Sequence, residues 1–483
     1  MIFRIFRLTL TLTLLFVTGF VQATERPNIV FIYTDDQSFN TIGALGHPIL
    51  KTPNFDRLAK EGIAFTNAYN QGGWHGAICV ASRSMINSGR FLWNARRRVE
   101  EDLRPAEKGG LQLSERNNAE AEFWSRLLKS GGYTTYFTGK WHVNVPVKNL
   151  FDHVGLIRGG MPPTVESSYN RPFENTDDVW SPFDPQFKGH WGEDNRHWAE
   201  SLADSSIGFI EEAAKSHEPF FMYLAFNSPH DPRQAPKEYV DRYPQEKMDV
   251  PANFLPENPY KDIMGCPATL RDEKLAPYPR TEYAVRVHRR EYYAIISHLD
   301  TQIGRILDAL EKSGKRGNTY IFLTADNGLA IGAHGLFGKQ SLFEHSVKVP
   351  LIVAGPNLPQ NKQIETPVYL QDIVPTSLQV AGIEIPDHIQ FKSFLPLIRG
   401  KKQHYDAIYG AYMQQQRMIR KDDFKLIIYP KGKIVLLFNL KNDPDEKENL
   451  AEKPEYAAKI QELLQNLLSL QKETGDSLEI TTF

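Results

Sequence analysis

The chain has 483 residues, 41% of them hydrophobic, and its 56 Lys and Arg against 58 Asp and Glu give a formal charge of −2. That length exceeds one domain of about 100–200 residues and allows a large core with a smaller partner. The even charge balance leaves no basic stripe to follow a phosphate backbone, which excludes nucleic acid as a partner.

Arg4 and Arg7 precede an apolar run from Leu8 to Phe20, and Val21-Gln22-Ala23 follows as a small-residue cleavage site. The run is shorter than the roughly 20 residues that a membrane span needs. Residues 1–23 are therefore expected to be a signal peptide, with a periplasmic or secreted product beginning near Thr24 and no stable membrane anchor. Cys79 and Cys266 make an even count for an oxidising compartment, although a large domain does not need a staple; one bridge and two unrelated thiols both remain open.

Apolar runs then alternate with periodic stretches, the pattern of an α/β sheet. "NIVFIYT" (28–34) is a predicted strand ending at Asp35 and Asp36, and Thr52-Pro53 opens a helix with Thr as cap. "GYTTYFTGKWH" gives a strand ending at Lys140 and His142, "PFFMYLAFNSPHDP" one ending at His230, and "NTYIFLTADNG" one ending at Asp326 and Asn327. Ala284–Gly314 has one apolar face and is predicted helical, with His298 structural. The stretches 145–198 and 231–282 lack periodicity and are expected to shape a substrate cleft. Beyond Phe394, "FKLIIY" and "IVLLFNL" flank "PKGK" as an antiparallel pair and a helix closes the chain. The expected organisation is a catalytic domain over 24–394 and a smaller α+β subdomain over 395–483.

In an open α/β sheet the site lies beyond the carboxyl ends of the strands, so four polar strand tips are expected to meet in one crevice. Asp35, Asp36, Asp326 and Asn327 offer only oxygen donors, which suit a hard divalent cation, Ca²⁺ or Mg²⁺. Cys79, at a predicted helix start in "CVASR", is a soft ligand beside that set. "CVASR" followed by "SMINSGR" resembles the type I sulfatase signature, Cys-x-Pro/Ala-x-Arg then Gly-Arg, whose cysteine becomes formylglycine. The aldehyde hydrate replaces sulfur by oxygen, which removes the mismatch. "TPNFDRLAKEGIAFTNAY", "HGLFGK" and "FNLKNDPDEKENLA" stand in the order that family shows. Ala81 fills a position where many members have Pro.

The resemblance implies an alkaline-phosphatase-like α/β/α sandwich with a large mixed sheet and a C-terminal antiparallel subdomain. It also implies a Ca²⁺ (or Mg²⁺) site of Asp35, Asp36, Asp326, Asn327 and modified Cys79. Arg83, four residues on and so on the same helix face, orients the hydrate. Lys140 and Lys339 bind sulfate oxygens, and His142 and His230 do proton work near neutral pH. In the implied mechanism a hydrate oxygen attacks sulfur, His230 protonates the departing alcohol, and His142 deprotonates the second hydroxyl as sulfate leaves and the aldehyde reforms. His334 is a further candidate for substrate contact. Trp74, His190, Trp191 and His197 are either sugar-subsite residues or packed side chains.

The expected activity is sulfate-ester hydrolysis on a sulfated carbohydrate, with carrageenan-type galactan preferred over glycosaminoglycan. The expected partners are that glycan and a formylglycine-generating or anaerobic sulfatase-maturating enzyme. The alternatives are a phosphonate or phosphodiester hydrolase on the same scaffold, and a glycan-binding relative without turnover.

Overall fold

A computed structural model describes residues 25–104 and 106–480; the expected signal peptide, residues 1–23, lies outside them. The strands, in chain order, are β1 (Asn28–Thr34), β2 (Ile63–Tyr69), β3 (Gly72–Gly73), β4 (Thr134–Lys140), β5 (His153–Arg158), β6 (Phe220–Ala225), β7 (Thr319–Ala325), β8 (Lys348–Ala354), β9 (Lys362–Ile364), β10 (Val368–Tyr369), β11 (Ile408–Tyr412), β12 (Gln416–Lys421), β13 (Phe424–Tyr429) and β14 (Ile434–Asn439). Nine form one sheet in the order β10-β2-β8-β7-β1-β6-β4-β5, with β9 also against β2. Only β8 runs antiparallel to its neighbours.

"NIVFIYT" is apolar along its length because both faces of β1 are covered. Side chains alternate across a strand. Ile29, Phe31 and Tyr33 enter one core with Ala81 and Met85 of the Ile78–Ser88 helix, while Val30 and Ile32 enter a second with Leu299 and Ile303 of the Glu282–Lys312 helix. The result is an α/β/α sandwich, as the sequence implied.

The strands whose tips carry the polar residues, β7, β1, β6 and β4, are consecutive neighbours and mutually parallel. Thr34 pairs with Ala325, and Tyr33 and Gly139 both lie level with Ala225, so the four carboxyl ends stop at one height. Neighbouring tips are also tied: Asp35 N–H donates to the Ser228 carbonyl and Asp326 N–H to the Thr34 carbonyl, both at 3.2 Å.

The second sheet, β14-β13-β12-β11, is an antiparallel meander extended by β3, which runs parallel to β11. β3 lies just ahead of the Ile78–Ser88 helix, so this sheet is docked beside the helix that carries Cys79. Gly72 (φ 90°) permits the contact, since a Cβ there would meet the Ala411 carbonyl at 2.1 Å.

Two local expectations change. The helix at Pro53–Glu61 is not capped by the Thr52 side chain; Asp300 instead accepts from Asn54 N–H at 3.1 Å and Phe55 N–H at 2.7 Å. A tertiary carboxylate thus replaces the local cap that Thr-Pro suggested. The stretch 145–198 also contains an edge strand, β5, paired to β4 and recruited by β4's free edge.

Candidate active site

The predicted tip residues lie at the carboxyl end of the sheet, all buried except His142, which is half-buried. Asp35, Asp36, Asp326 and Asn327 are 0% exposed, and so are Arg83 and Lys140. Cys79 occupies the first turn of the Ile78–Ser88 helix, which Tyr33 fixes to β1 by a 2.8 Å hydrogen bond between its hydroxyl and Ser82 Oγ. That helix closes on Gly89 (φ 66°), whose N–H donates to the Met85 carbonyl. Its N-terminal dipole points at residue 79, where it favours negative charge.

The groups interlock pairwise. Arg83 Nε donates to Asp326 Oδ2 at 3.1 Å and an Arg83 Nη to the Lys140 carbonyl at 2.9 Å. Lys140 pairs with Asp35. Lys339 Nζ bridges both Asp36 oxygens at 2.7 and 2.8 Å, Asn327 Nδ2 donates to Asp36 Oδ1 at 2.5 Å, and His230 Nε2 is 3.6 Å from Asp36 Oδ2. Cys79 Sγ lies 3.3 Å from His142 Nδ1. Three aspartates thus face three side chains of fixed positive charge, Arg83, Lys140 and Lys339.

The donor set suits a hard divalent cation. Asp35 Oδ1 and Asn327 Oδ1 are buried oxygens without a hydrogen-bond partner. Ligand atoms of Asp35, Cys79 and Asp326, and separately of Asp35, Asp36 and His230, lie within 4.8 Å of one another. Buried unpaired oxygen acceptors at such spacing carry a desolvation cost that a cation relieves.

Electrostatics agree with this assignment. Burial pushes the Asp35 carboxyl well above its ordinary range, Asp326 adds to the effect, and Lys140 only partly opposes it. Burial would raise Asp326 too, but Arg83, Lys140 and Lys339 together hold it down at about 2. A bound cation favours the ionised form of all these groups. Burial raises the Cys79 thiol despite Lys140 and Lys339, so the unmodified side chain is a protonated, weak nucleophile. Burial, reinforced by Lys140, Arg83 and Lys339, pushes His142 down to about 2, and burial with Lys339 puts His230 well below its usual value. Both rings are neutral near pH 7.

A cavity of about 200 Å³ opens onto the pair, lined among others by Gly76, Cys79, His142, His230, Arg271 and Lys339. The stretches expected to shape the cleft supply Gly160, Met161, Leu270, Arg271 and Asp272 to its wall.

His334 is not brought into this group. Its ring stacks on Phe343 at 3.9 Å and its Nε2 meets Asn253 Nδ2 at 3.0 Å. His190 and His197 are fully buried, stacked on each other and bonded to the carbonyls of His230 and Gln234, so they are packed residues and not a sugar surface. Cys79 and Cys266 are both free thiols, with Cys266 Sγ donating to the Gln340 carbonyl at 3.0 Å. Asp231 and Arg271 escaped the sequence reading: Arg271 forks onto Asp231, whose carbonyl meets His230 Nδ1 at 2.7 Å. Asp231 follows His230 directly in "SPHDP", but nothing in the sequence points to Arg271.

This geometry has known counterparts. The family model described as "Sulfatase" matches residues 27–383, and one described as "N-sulphoglucosamine sulphohydrolase, C-terminal" matches 332–473. A "Sulfatase" of Formosa agariphila is 30% identical over 95% of this chain and 89% of its own length. Two solved structures, each 24% identical, share the fold. One, in complex with its substrate D-glucosamine-2-N,6-O-disulfate, has a TM-score of 0.72 over 94% of this chain and 99% of its own. The other, in complex with k-i-k-neocarrahexaose, has a TM-score of 0.66 over 95% of each chain. The chain belongs to the type I sulfatase family, on the alkaline-phosphatase-like fold, and is a sulfuric-ester hydrolase.

Proposed function

We propose that the protein removes sulfate from a sulfated carbohydrate by way of an oxygen nucleophile at position 79, formylglycine made from Cys79. The observation that carries this reading is the placing of a raised-pKa thiol, 3.3 Å from a neutral histidine, among hard oxygen donors. As a thiol, residue 79 is a poor partner for such a cation and a poor nucleophile; as an aldehyde hydrate it supplies oxygen for both purposes.

Asp35, Asp36, Asp326 and Asn327 would hold Ca²⁺ or Mg²⁺, which polarises the sulfate oxygens when bound. Lys339 lines the cavity and, with Lys140 behind it, offers positive charge to the sulfo group as charge builds on its oxygens. Arg83 fixes Asp326 and the Lys140 backbone relative to the helix that carries residue 79. His142, neutral and touching residue 79, is placed to accept a proton there. His230 lines the cavity with Nδ1 donating to the Asp231 carbonyl, which leaves Nε2 of the neutral ring unprotonated; it is placed to take the proton given up by the attacking hydrate hydroxyl at Nε2 and to pass it to the leaving alcohol.

For the sugar, the sequence reading favours a carrageenan-type galactan; the k-i-k-neocarrahexaose complex supports it and the glucosamine disulfate complex supports the glycosaminoglycan alternative. The product is placed in the periplasm or outside the cell, after maturation by a formylglycine-generating or anaerobic sulfatase-maturating enzyme. Mass spectrometry of the peptide holding residue 79 is the test: conversion leaves it about 18 Da lighter than cysteine. An unmodified cysteine in active protein would overturn the nucleophile. Faster turnover of an aryl phosphodiester than of an aryl sulfate would overturn the ester class, and sulfate release across a panel of defined sulfated oligosaccharides identifies the sugar.

A further inference from the structure

The catalytic cavity, at about 200 Å³, is smaller than the roughly 300–1,000 Å³ typical of pockets that enclose a small molecule. It accommodates the sulfo group and part of the residue that bears it, so the rest of a glycan must lie on neighbouring surface. A second, wider cleft of about 510 Å³ is lined by Trp74, Trp93, Asn94, Arg97, Met413 and Gln415, among others.

The four residues Trp74–Ala77 join the two: Trp74 lines the wide cleft, and Gly76 and Ala77 line the catalytic cavity. Even fully extended, that stretch spans no more than about 10 Å. His75, partly exposed, lies between them with its ring 6.0 Å from that of Trp74. The Tyr412 hydroxyl, next in sequence to the Met413 that lines the wide cleft, stands 3.9 Å from where a Cβ at Gly76 would sit.

The wide cleft is built on fixed groups. Arg417, 1% exposed, forks onto Asp476 at 2.5 and 3.0 Å and lies 5.4 Å from the Trp93 ring centre. Trp74 Nε1 donates to Glu100 at 2.5 Å, which fixes the indole plane. The half-buried Trp93 ring, backed by Arg417 and joined in the lining by Trp74 at 7% exposure, with amide edges from Asn94, Gln414 and Gln415 and guanidinium groups from Arg96 and Arg97, is the chemistry that packs on a sugar ring and grips its hydroxyl and sulfate oxygens. Glu101 and Glu479 also line the cleft, so it is not a plain anion trap.

We propose that this cleft holds the sugar residues flanking the sulfated one, so that the enzyme acts on oligomeric or polymeric sulfated glycans and not on single sugars. The proposal rests on the sulfated-carbohydrate reading above. It also gives the small C-terminal sheet a role, since the turn Met413–Gln415 between β11 and β12 and the segment Gly475–Glu479 form one side of the cleft.

Size-graded κ-carrageenan and heparin oligosaccharides, from di- to hexasaccharide, are titrated calorimetrically against the full chain carrying Cys79→Ala, which binds without turnover. In one of the two series, affinity is expected to rise at least about tenfold with length, and the gain to vanish when Arg97→Ala and Gln415→Ala are added. Both residues are away from the catalytic cavity, so a protein with intact Cys79 and these two changes should hydrolyse 4-nitrophenyl sulfate within about twofold of the parent. Equal affinity for short and long chains in both series overturns the cleft, as does a parallel loss of aryl sulfate hydrolysis in the double variant. Length-dependent binding by a protein whose Cys79 form releases no sulfate from the aryl ester would leave the cleft standing and overturn the hydrolase reading instead.

Discussion

Arg83 and Asp326 lie 243 residues apart in sequence and meet at 3.1 Å, Nε to Oδ2, at the floor of the site. The same guanidinium holds the carbonyl of Lys140 at 2.9 Å and stands 4.7 Å from the Tyr33 ring centre. One rigid fork therefore sets the tips of β7 and β4 against the helix bearing residue 79.

Lysine keeps the charge at position 83 but has no fork and satisfies one partner at a time. Arg83→Lys is expected to lower kcat for an aryl sulfate about 10²–10³-fold, comparable to losing a positioned transition-state donor. KM should change far less. Steady-state kinetics alongside a thermal melt check this, and near-normal kcat would show that the fork does not position the site.

Chelation tests the oxygen cluster. Asp35 Oδ1 and Asn327 Oδ1, buried and without a hydrogen-bond partner, would be satisfied by a cation held among the aspartates, and such a cation would stabilise the folded state by mass action. Dialysis against EDTA should abolish activity and lower Tm, and added Ca²⁺ or Mg²⁺ should restore both in a concentration-dependent way. A Tm indifferent to chelator and metal would argue against the site.

Acid sensitivity follows from five histidines outside the cation ligands. Burial pushes His190 and His334 down to about 3, and His197, His288 and His345 well below the usual imidazole value. A folded pKa below the unfolded one means that the unfolded chain binds more protons, so this stability is present above about pH 6.5 and is lost as pH falls below it. Burial acts oppositely on Asp300, raised to about 6, and Glu446, raised to about 7; these take up protons in the folded state. His47, held down at about 4, adds to the lowered imidazoles, which outnumber the raised carboxylates, so unfolding takes up protons on balance near pH ~5.5 and stability falls as pH drops. Denaturant titrations at pH 5, 6 and 7 measure the slope, and a flat profile would refute the neutral-histidine assignment.

The small sheet has a buried charge of its own. Lys425, 0% exposed, lies 2.9 Å from both Glu344 and Glu446, and Glu344 accepts from the Tyr69 hydroxyl of β2 at 2.8 Å. Lys425→Met strands two carboxylates and is expected to cost about 3–5 kcal/mol, read from urea unfolding. Adding Glu344→Gln and Glu446→Gln to it should recover much of the loss. No recovery would mean that packing, and not charge, sets the cost.

Much of the site was legible because a parallel sheet puts its chemistry at strand ends. Asp35-Asp36, Lys140 and Asp326-Asn327 each follow an apolar run, and "CVASR" opens a helix, so type and approximate position could be read locally. His334 misled because "HGLFGK" places it close to Lys339 in sequence, while its ring turns to Phe343. Thr52 misled because a helix start does not disclose that Asp300 will supply the cap.

The amino-acid order alone determined the strands, the helix carrying residue 79 and the oxygen-rich donor set, since hydrophobic period and side-chain chemistry are local properties. Only the tertiary structure decided that β7, β1, β6 and β4 lie side by side. It also decided that Arg271 stands behind Asp231, and that a turn more than 300 residues from Cys79 walls the cleft beside it. Those relations depend on which buried faces pack together, a balance of apolar area, charge pairing and backbone hydrogen bonds over the whole chain that no short segment contains.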